Sequence, residues 1–295
     1  MNLLSVVWNV DPVIFSIGPI SIRYYALLFV SGFILGYYIF LDFYKREGLP
    51  QPILDTFLFA MLISTLIGSR LGHVLFYDPA YYLAHPAEIL MTWKGGLASH
   101  GGAIGLLLGT WWYTNKFGKK YGFDYLWILD RLVIVVCFAG ALIRLGNLFN
   151  SEIYGNPTDL PWGFIFQLRG ETVAKHPTQL YEALLYIVLG LVLLFMYRRY
   201  LPKLRRGTIF GIFLIVLFGG RFMIEFIKEP QVAFEESMTL NMGQWLSVPF
   251  VIAGIIILIL SFRWTRPAML TKVEPQRQVK KEKDNTLKYS KSIKK

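Results

Sequence analysis

The residues of this chain that could do chemistry are few and fall in short runs. The densest is Arg144-Leu145-Gly146-Asn147-Leu148-Phe149-Asn150-Ser151-Glu152-Ile153-Tyr154-Gly155, an R-x-G-N-x-x-N-x-E-x-x-G pattern. Arginine suits a phosphate because its planar fork donates two parallel hydrogen bonds and stays charged when desolvated. Asn147, Asn150 and Glu152 have the groups to hold that arginine or to bind glycerol hydroxyls, and Gly155 closes the run. Helix caps and turns also use asparagine and glycine, but a cap needs one such residue, not four in twelve positions. A second arginine, Arg221, precedes Glu225 by four residues. A local ion pair is the plain reading of that spacing. The cation-first order is the weaker one, however, and a pair does not explain an arginine inside an apolar stretch. A functional role is therefore favoured for Arg221 over a purely structural one. His100, between Ser99 and Gly101-Gly102, is the expected proton carrier, since histidine titrates near neutrality. It would serve equally as a hydrogen-bonded link between helices. Tyr25 and Arg70 complete the set, Arg70 as a substrate contact or as the partner of a buried carboxylate.

These residues must be positioned by apolar elements. Of 295 residues, 55% are hydrophobic and only 17% are charged, against about 25% charged in soluble domains. Mean hydropathy is +0.47. The single cysteine, Cys137, excludes an internal disulfide and a cysteine-rich zinc site. A bilayer-spanning helix needs about 20 apolar residues. Seven stretches qualify, at roughly 24–41, 53–76, 96–114, 124–143, 178–197, 207–227 and 244–262. The first lacks a basic leader and a small-residue cleavage site, so it reads as a retained span. Gly101, Gly105 and Gly109 form a small-residue face suited to close helix packing.

The formal charge of +11 would point to nucleic acid in a soluble chain; here the apolar content points to a membrane. Lys and Arg fall unevenly on alternate sides of the spans, six against twenty-one, with Arg70, Arg131 and Arg221 inside spans. The positive-inside rule then places the N-terminus outside and the C-terminus in the cytoplasm. The sequence thus predicts an all-α polytopic membrane protein of seven transmembrane helices. Residues 1–262 form the membrane domain, with an outer interfacial arm at 1–23 and a long outer loop at 144–177. The basic tail, 263–295, is expected to be disordered near anionic lipid. On this topology Tyr25, Arg70, His100, Arg144, Asn147, Arg221 and Glu225 all fall in the outer third of the bilayer. Arg70 and Arg221 lie about 9 Å below its edge, at 1.5 Å per residue. Asp130 and Arg131, near the inner end, are expected to snorkel or to pair with other helices. Clustered cations beside a histidine, within reach of lipid headgroups, suggest an anionic phospholipid and proton transfer. A transporter or channel for an anionic solute or lipid is the competing reading, opposed by the confinement of polar groups to one leaflet and by the lack of an inverted repeat. A lipid-binding scaffold is the third.

At these residues the chain resembles the bacterial prolipoprotein diacylglyceryl transferases. The 144–155 run is similar to that family's signature. Matching blocks follow in the family's order: Phe15-Ser16-Ile17-Gly18-Pro19 leading to Arg23-Tyr24-Tyr25; Gly68-Ser69-Arg70-Leu71-Gly72; Ser99-His100-Gly101-Gly102; His176-Pro177-Thr178-Gln179-Leu180-Tyr181-Glu182; and Arg221-Phe222-Met223-Ile224-Glu225-Phe226 with Glu229-Pro230. The resemblance covers roughly residues 10–265. Departures at Ile143, Tyr24, Ala26 and Leu148 remove no polar group. The resemblance implies transfer of the diacylglyceryl group of phosphatidylglycerol to the lipobox cysteine of a prolipoprotein signal peptide, in the bacterial cytoplasmic membrane. It implies His100 as base or thiol-activating group, Arg144 and Arg221 on the headgroup phosphate, Tyr25, Asn147 and Glu152 as positioning groups, and Glu225 orienting Arg221. Neither a metal nor a cofactor is required.

Overall fold

The computed structural model describes residues 5–18, 20–92, 95–230, 238–263 and 267–270. The chain is mostly helical. Among the described residues, six helices are long and apolar enough to cross a membrane: α1 (Tyr24–Glu47), α2 (Gln51–Phe76), α5 (Tyr125–Phe149), α6 (Thr178–Tyr200), α7 (Thr208–Ile224) and α8 (Met242–Arg263). A short α3 (Pro79–Ala84) precedes α4 (Ser99–Tyr121). The seventh expected span corresponds to α4, which has the length but not the hydropathy of the other six. Its glycines and aromatics dilute its apolar content. Several helices outrun their apolar stretches. α1 continues to Glu47, where Gly48 at φ 72 ends it, a left-handed cap that glycine adopts without steric cost. Asp124 accepts the Trp127 N–H and starts α5.

α4 lies against α2 with almost no side chain between them. A Cβ placed on Gly101 would stand 2.2 Å from the Gly68 carbonyl oxygen, and one on Gly105 2.1 Å from that of Ser64. Only glycine permits this approach. α1 packs on α5, where Gly32 and Gly36 face Ala139 and Val135; α6 and α7 follow, and α8 covers α7.

The charges at the far end of α5 are structural. Asp130 accepts the backbone N–H groups of Gly207 and Phe210, both at 2.8 Å, and so caps α7 from a neighbouring helix. Arg131 binds Glu47 Oε1 through Nε and Nη2, at 2.9 and 2.6 Å, beneath Trp127 and Tyr197. Both residues are fully buried and neither snorkels.

At the opposite end, the fold is not purely helical. Within the arm, β2 (Val13–Ile17) and β3 (Ile20–Arg23) form an antiparallel hairpin, with Gly18 at φ 57 in its turn. Phe15 and Ile17 project apolar surface from it. β1 (Val6–Trp8) pairs in parallel with β4 (Phe164–Phe166) of the long loop, and Trp8 Nε1 donates to the Leu148 carbonyl. That loop begins at 150 and not at 144, because α5 runs to Phe149. Arg144 and Asn147 are therefore helical. The tail beyond Leu270 lies outside the described residues.

Candidate functional site

The end of the bundle that carries the strands also gathers the charged residues. Their centre is Glu182, on the second turn of α6 and fully buried. Arg144 of α5 approaches Glu182 Oε2 with Nε at 2.9 Å. Lys228, just after α7, reaches Oε1 at 3.4 Å, and Arg221 of α7 lies 3.8 Å from the same oxygen. Three elements thus place three cations around one carboxylate. Such buried charges persist only when paired. The Tyr186 hydroxyl, one turn further along α6, interacts with both arginines.

A second network grows from Arg144. Its Nη1 donates to Asn147 Oδ1 at 3.3 Å, and Asn147 Nδ2 donates to Glu152 Oε1 at 2.8 Å. Asn150 Nδ2 donates to the same oxygen at 3.1 Å. Tyr25, at the start of α1, lies within electrostatic reach of Glu152 and Arg144. It fits because residue 146 is glycine: a Cβ there would stand 2.7 Å from the Tyr25 ring. The structure thus brings Tyr25, Arg144, Asn147, Asn150, Glu152 and Arg221 together. The backbone after Asn150 is bent against its preference, with Ser151 at φ 52 and the β-branched Ile153 at φ 63. Arg169, Gln179 and Thr178 hold it there by binding the carbonyls of Asn150, Ser151, Glu152 and Ile153. Gly155 faces no open space. Its N–H binds the His176 carbonyl, and a Cβ would meet the Ile227 carbonyl oxygen at 2.3 Å. Packing accounts for that glycine.

The loop is latched to the segment after α7. Lys175 pairs with Glu171 and Glu229. Burial alone would lower its pKa, but these carboxylates prevail and hold it above the usual lysine value. Burial, aided by the hydrogen bond to Glu171, pushes the Tyr154 phenol up to about 12.

Two expected roles change. Arg221 and Glu225 do not form the i, i+4 ion pair. α7 ends at Ile224 and the chain tightens into a 3-10 turn over Glu225–Ile227, so Glu225 pairs instead with Lys228 at 3.3 Å. Arg70 is buried but sits among loop carbonyls. Nε donates to Ile89 at 2.8 Å, Nη1 to Gly95 and Gly96 at 2.7 and 3.0 Å, and Nη2 to Glu88 at 2.5 Å. That occupies four of its five N–H groups, so Arg70 organises the connection between α2 and α4. His100 opens α4 beside it. Its Nε2 lies 3.3 Å from the Tyr77 hydroxyl, and its ring stacks on Tyr77, which stacks in turn on His73. Among the described residues, no hydrogen bond, ion pair or ring contact joins His100 to the Arg144–Arg221 cluster.

An apolar cavity of about 240 Å³ lies between α1, α2 and α5. Its lining reaches Ile143, the neighbour of Arg144, and Phe29, one turn along α1 from Tyr25, and includes none of the cluster's own residues.

Residues 12–260 match the family described as prolipoprotein diacylglyceryl transferase. The chain belongs to this family. It is 47% identical over 254 residues to a phosphatidylglycerol–prolipoprotein diacylglyceryl transferase of Tolumonas auensis, an alignment covering 86% of this chain and 96% of that protein. Proteins of the same name from Chloroherpeton thalassium and Bacteroides fragilis are 40% and 44% identical, covering 90% and 86% of this chain and 96% and 94% of theirs. The diacylglyceryl transferase match spans every element of the cluster, from Tyr25 to Lys228.

Sequence reasoning missed Glu182 and Lys228 as site residues. Glu182 sits inside the otherwise acid-free stretch 178–197. The rule that singled out Arg70 and Arg221, that an ionisable group inside a span is costly, applies to it equally.

Proposed function

We propose that this protein transfers the diacylglyceryl group of phosphatidylglycerol to the lipobox cysteine thiol of a prolipoprotein, in lipoprotein maturation. The thiol loses its proton to a base, because the thiolate is the nucleophile. Sulfur attacks the glyceryl carbon bonded to the phosphate oxygen. A C–S thioether bond forms, the C–O bond breaks, and glycerol phosphate leaves with the bonding electron pair. The observation that carries this reading is the junction of two arginines on one buried carboxylate, in a bundle whose apolar cavity reaches Ile143, the neighbour of Arg144. That arrangement suits a phosphate joined to acyl chains. Arg144 and Arg221 neutralise the departing phosphate. Glu182 and the Asn147–Glu152 pair fix the arginines, Tyr25 closes the site from α1, and His100 accepts the thiol proton.

Topology supports the same reading. α4, with 23 residues, extends about 34 Å at 1.5 Å per residue and serves as a seventh span. With it, the Lys/Arg bias orients the cluster toward the outer leaflet of the bacterial cytoplasmic membrane, where an exported signal peptide presents its cysteine. The protein, purified and mixed with phosphatidylglycerol vesicles and a lipobox peptide, should add one diacylglyceryl mass to the peptide. Folded protein that gives no product would refute the proposal.

A further inference from the structure

Residues 267–270 belong by composition to the basic tail, yet they dock on the bundle at the end opposite the charged cluster. The Ala268 N–H donates to the Leu204 carbonyl at 2.9 Å, and the Leu270 N–H to Glu47 Oε2 at 3.3 Å. Arg131 Nη2 donates to the Ala268 carbonyl at 2.9 Å, and Arg206 Nε to that of Pro267 at 3.1 Å. Pro267 also pairs with Arg205 in an antiparallel bridge. Ala268 is fully buried and Leu270 nearly so. The family match ends at residue 260, so this segment lies beyond the part of the chain that the match covers.

The segment touches α1 through Glu47, α5 through Arg131, and the connection between α6 and α7 through Leu204. Glu47 also accepts from the Tyr197 hydroxyl of α6 at 2.8 Å and from Trp127 Nε1 of α5 at 3.0 Å. Asp130, beside Arg131, caps α7. The same four helices carry Tyr25, Arg144, Glu182 and Arg221 at their other ends. Between the two ends the core is continuous. Ala268 and Leu270 belong to one buried cluster with Leu193, Leu189 and Tyr186 of α6, and the Tyr186 hydroxyl interacts with both arginines. Close-packed interiors transmit displacement. Without the segment, the fully buried Arg131 would keep an N–H with no acceptor and Glu47 would lose a donor. Buried groups without partners are costly, and splaying the helix ends to admit water relieves that cost. We propose that residues 267–270 are a strap that clamps α1, α5, α6 and α7 at one end and so holds Arg144, Arg221 and Glu182 in register at the other. The strap touches no substrate and acts by position alone.

The test compares the full chain with a chain ending at Leu270, a chain ending at Arg266, and full-length Ala268→Trp, whose ring has no room at a fully buried alanine and expels the strap. Each is read by thermal unfolding in detergent, by hydrogen exchange of residues 147–155, and by transfer to a lipobox peptide from phosphatidylglycerol vesicles per folded protein. The chain ending at Leu270 should match the full chain in all three. The chain ending at Arg266 and Ala268→Trp should unfold roughly 5–10 °C lower. In both, the amides of 147–155 should exchange roughly 2–30-fold faster, and transfer should slow by a similar factor. If the chain ending at Arg266 does not fold, Ala268→Trp decides. A lower unfolding temperature with unchanged exchange and unchanged transfer would overturn the proposal, because the strap would then act only where it docks. Equal defects in the chain ending at Leu270 would overturn it as well, by assigning the effect to the tail beyond. A full chain that transfers nothing would refute the reaction proposed above, while unfolding and exchange would still decide the strap.

Discussion

Glu182→Gln isolates the organising carboxylate from its shape. Glutamine keeps the volume and one carbonyl oxygen but removes the charge that Arg144 meets at 2.9 Å, Lys228 at 3.4 Å and Arg221 at 3.8 Å. The Lys228 side chain is 1% exposed and that of Arg144 13%, so water cannot replace the partner those two lose, while Arg221, at 29%, is partly solvated. Removing one member of a buried ion pair costs about 3–5 kcal/mol. Spent on disordering the two arginines during reaction, that amount slows transfer by roughly 10²- to 10⁴-fold, at 1.36 kcal/mol per decade. Mutual repulsion would spread the cations, so kcat should fall more than the affinity for phosphatidylglycerol. The assay is steady-state transfer to a lipobox peptide, expressed per folded enzyme from thermal unfolding in detergent. Glu182→Asp should recover part of the loss by restoring the charge at a shorter reach. Wild-type turnover by folded Glu182→Gln would refute the reasoning. A loss tracking only the unfolded fraction would show that the carboxylate holds the bundle rather than the arginines.

Arg144→Ala should abolish transfer while the helical circular-dichroism signal persists; near-normal turnover would remove its phosphate role. His100→Gln should lose most activity at neutral pH and recover as pH approaches the ordinary thiol pKa of about 8.5, where the substrate ionises unaided. A pH–rate profile decides this, and full activity at pH 7 would exclude the base role. Arg70→Met should act on stability, because it strands the four carbonyls that bind Arg70. The expected loss is about 2–3 kcal/mol, read in denaturant unfolding, with the KM for phosphatidylglycerol of the folded protein unchanged.

Much of the helical architecture was legible in sequence because apolar length is a strong, additive signal, and the helix positions follow from it. The gathering of Arg144, Asn147 and Glu152 has a different source: the R-x-G-N-x-x-N-x-E run keeps them within nine residues of one another. What failed was pairing across helices. The local ion pair that the Arg221–Glu225 spacing offered, and that its cation-first order spoke against, does not form, and Glu225 pairs with Lys228 after the 3-10 turn. Arg70 stood open between a substrate contact and a carboxylate partner; nothing in its own helix revealed that the carbonyls of Glu88, Ile89, Gly95 and Gly96 bind it. The pairing of β1 with β4 joins residues more than 150 positions apart, and neither three-residue strand carries a periodic signal of its own. α4 fell short in hydropathy for the same reason that it packs so closely: its glycines trade apolar side chains for backbone contact.

The central claim is that a phosphate headgroup departs as the thiol is alkylated. Thioether peptide and free glycerol phosphate, quantified together by mass spectrometry in a single reaction with phosphatidylglycerol vesicles, test it most directly. The account predicts one glycerol phosphate for each diacylglyceryl-modified peptide, through a bond stable to hydroxylamine. Modified peptide without glycerol phosphate, or a hydroxylamine-labile thioester, would contradict it.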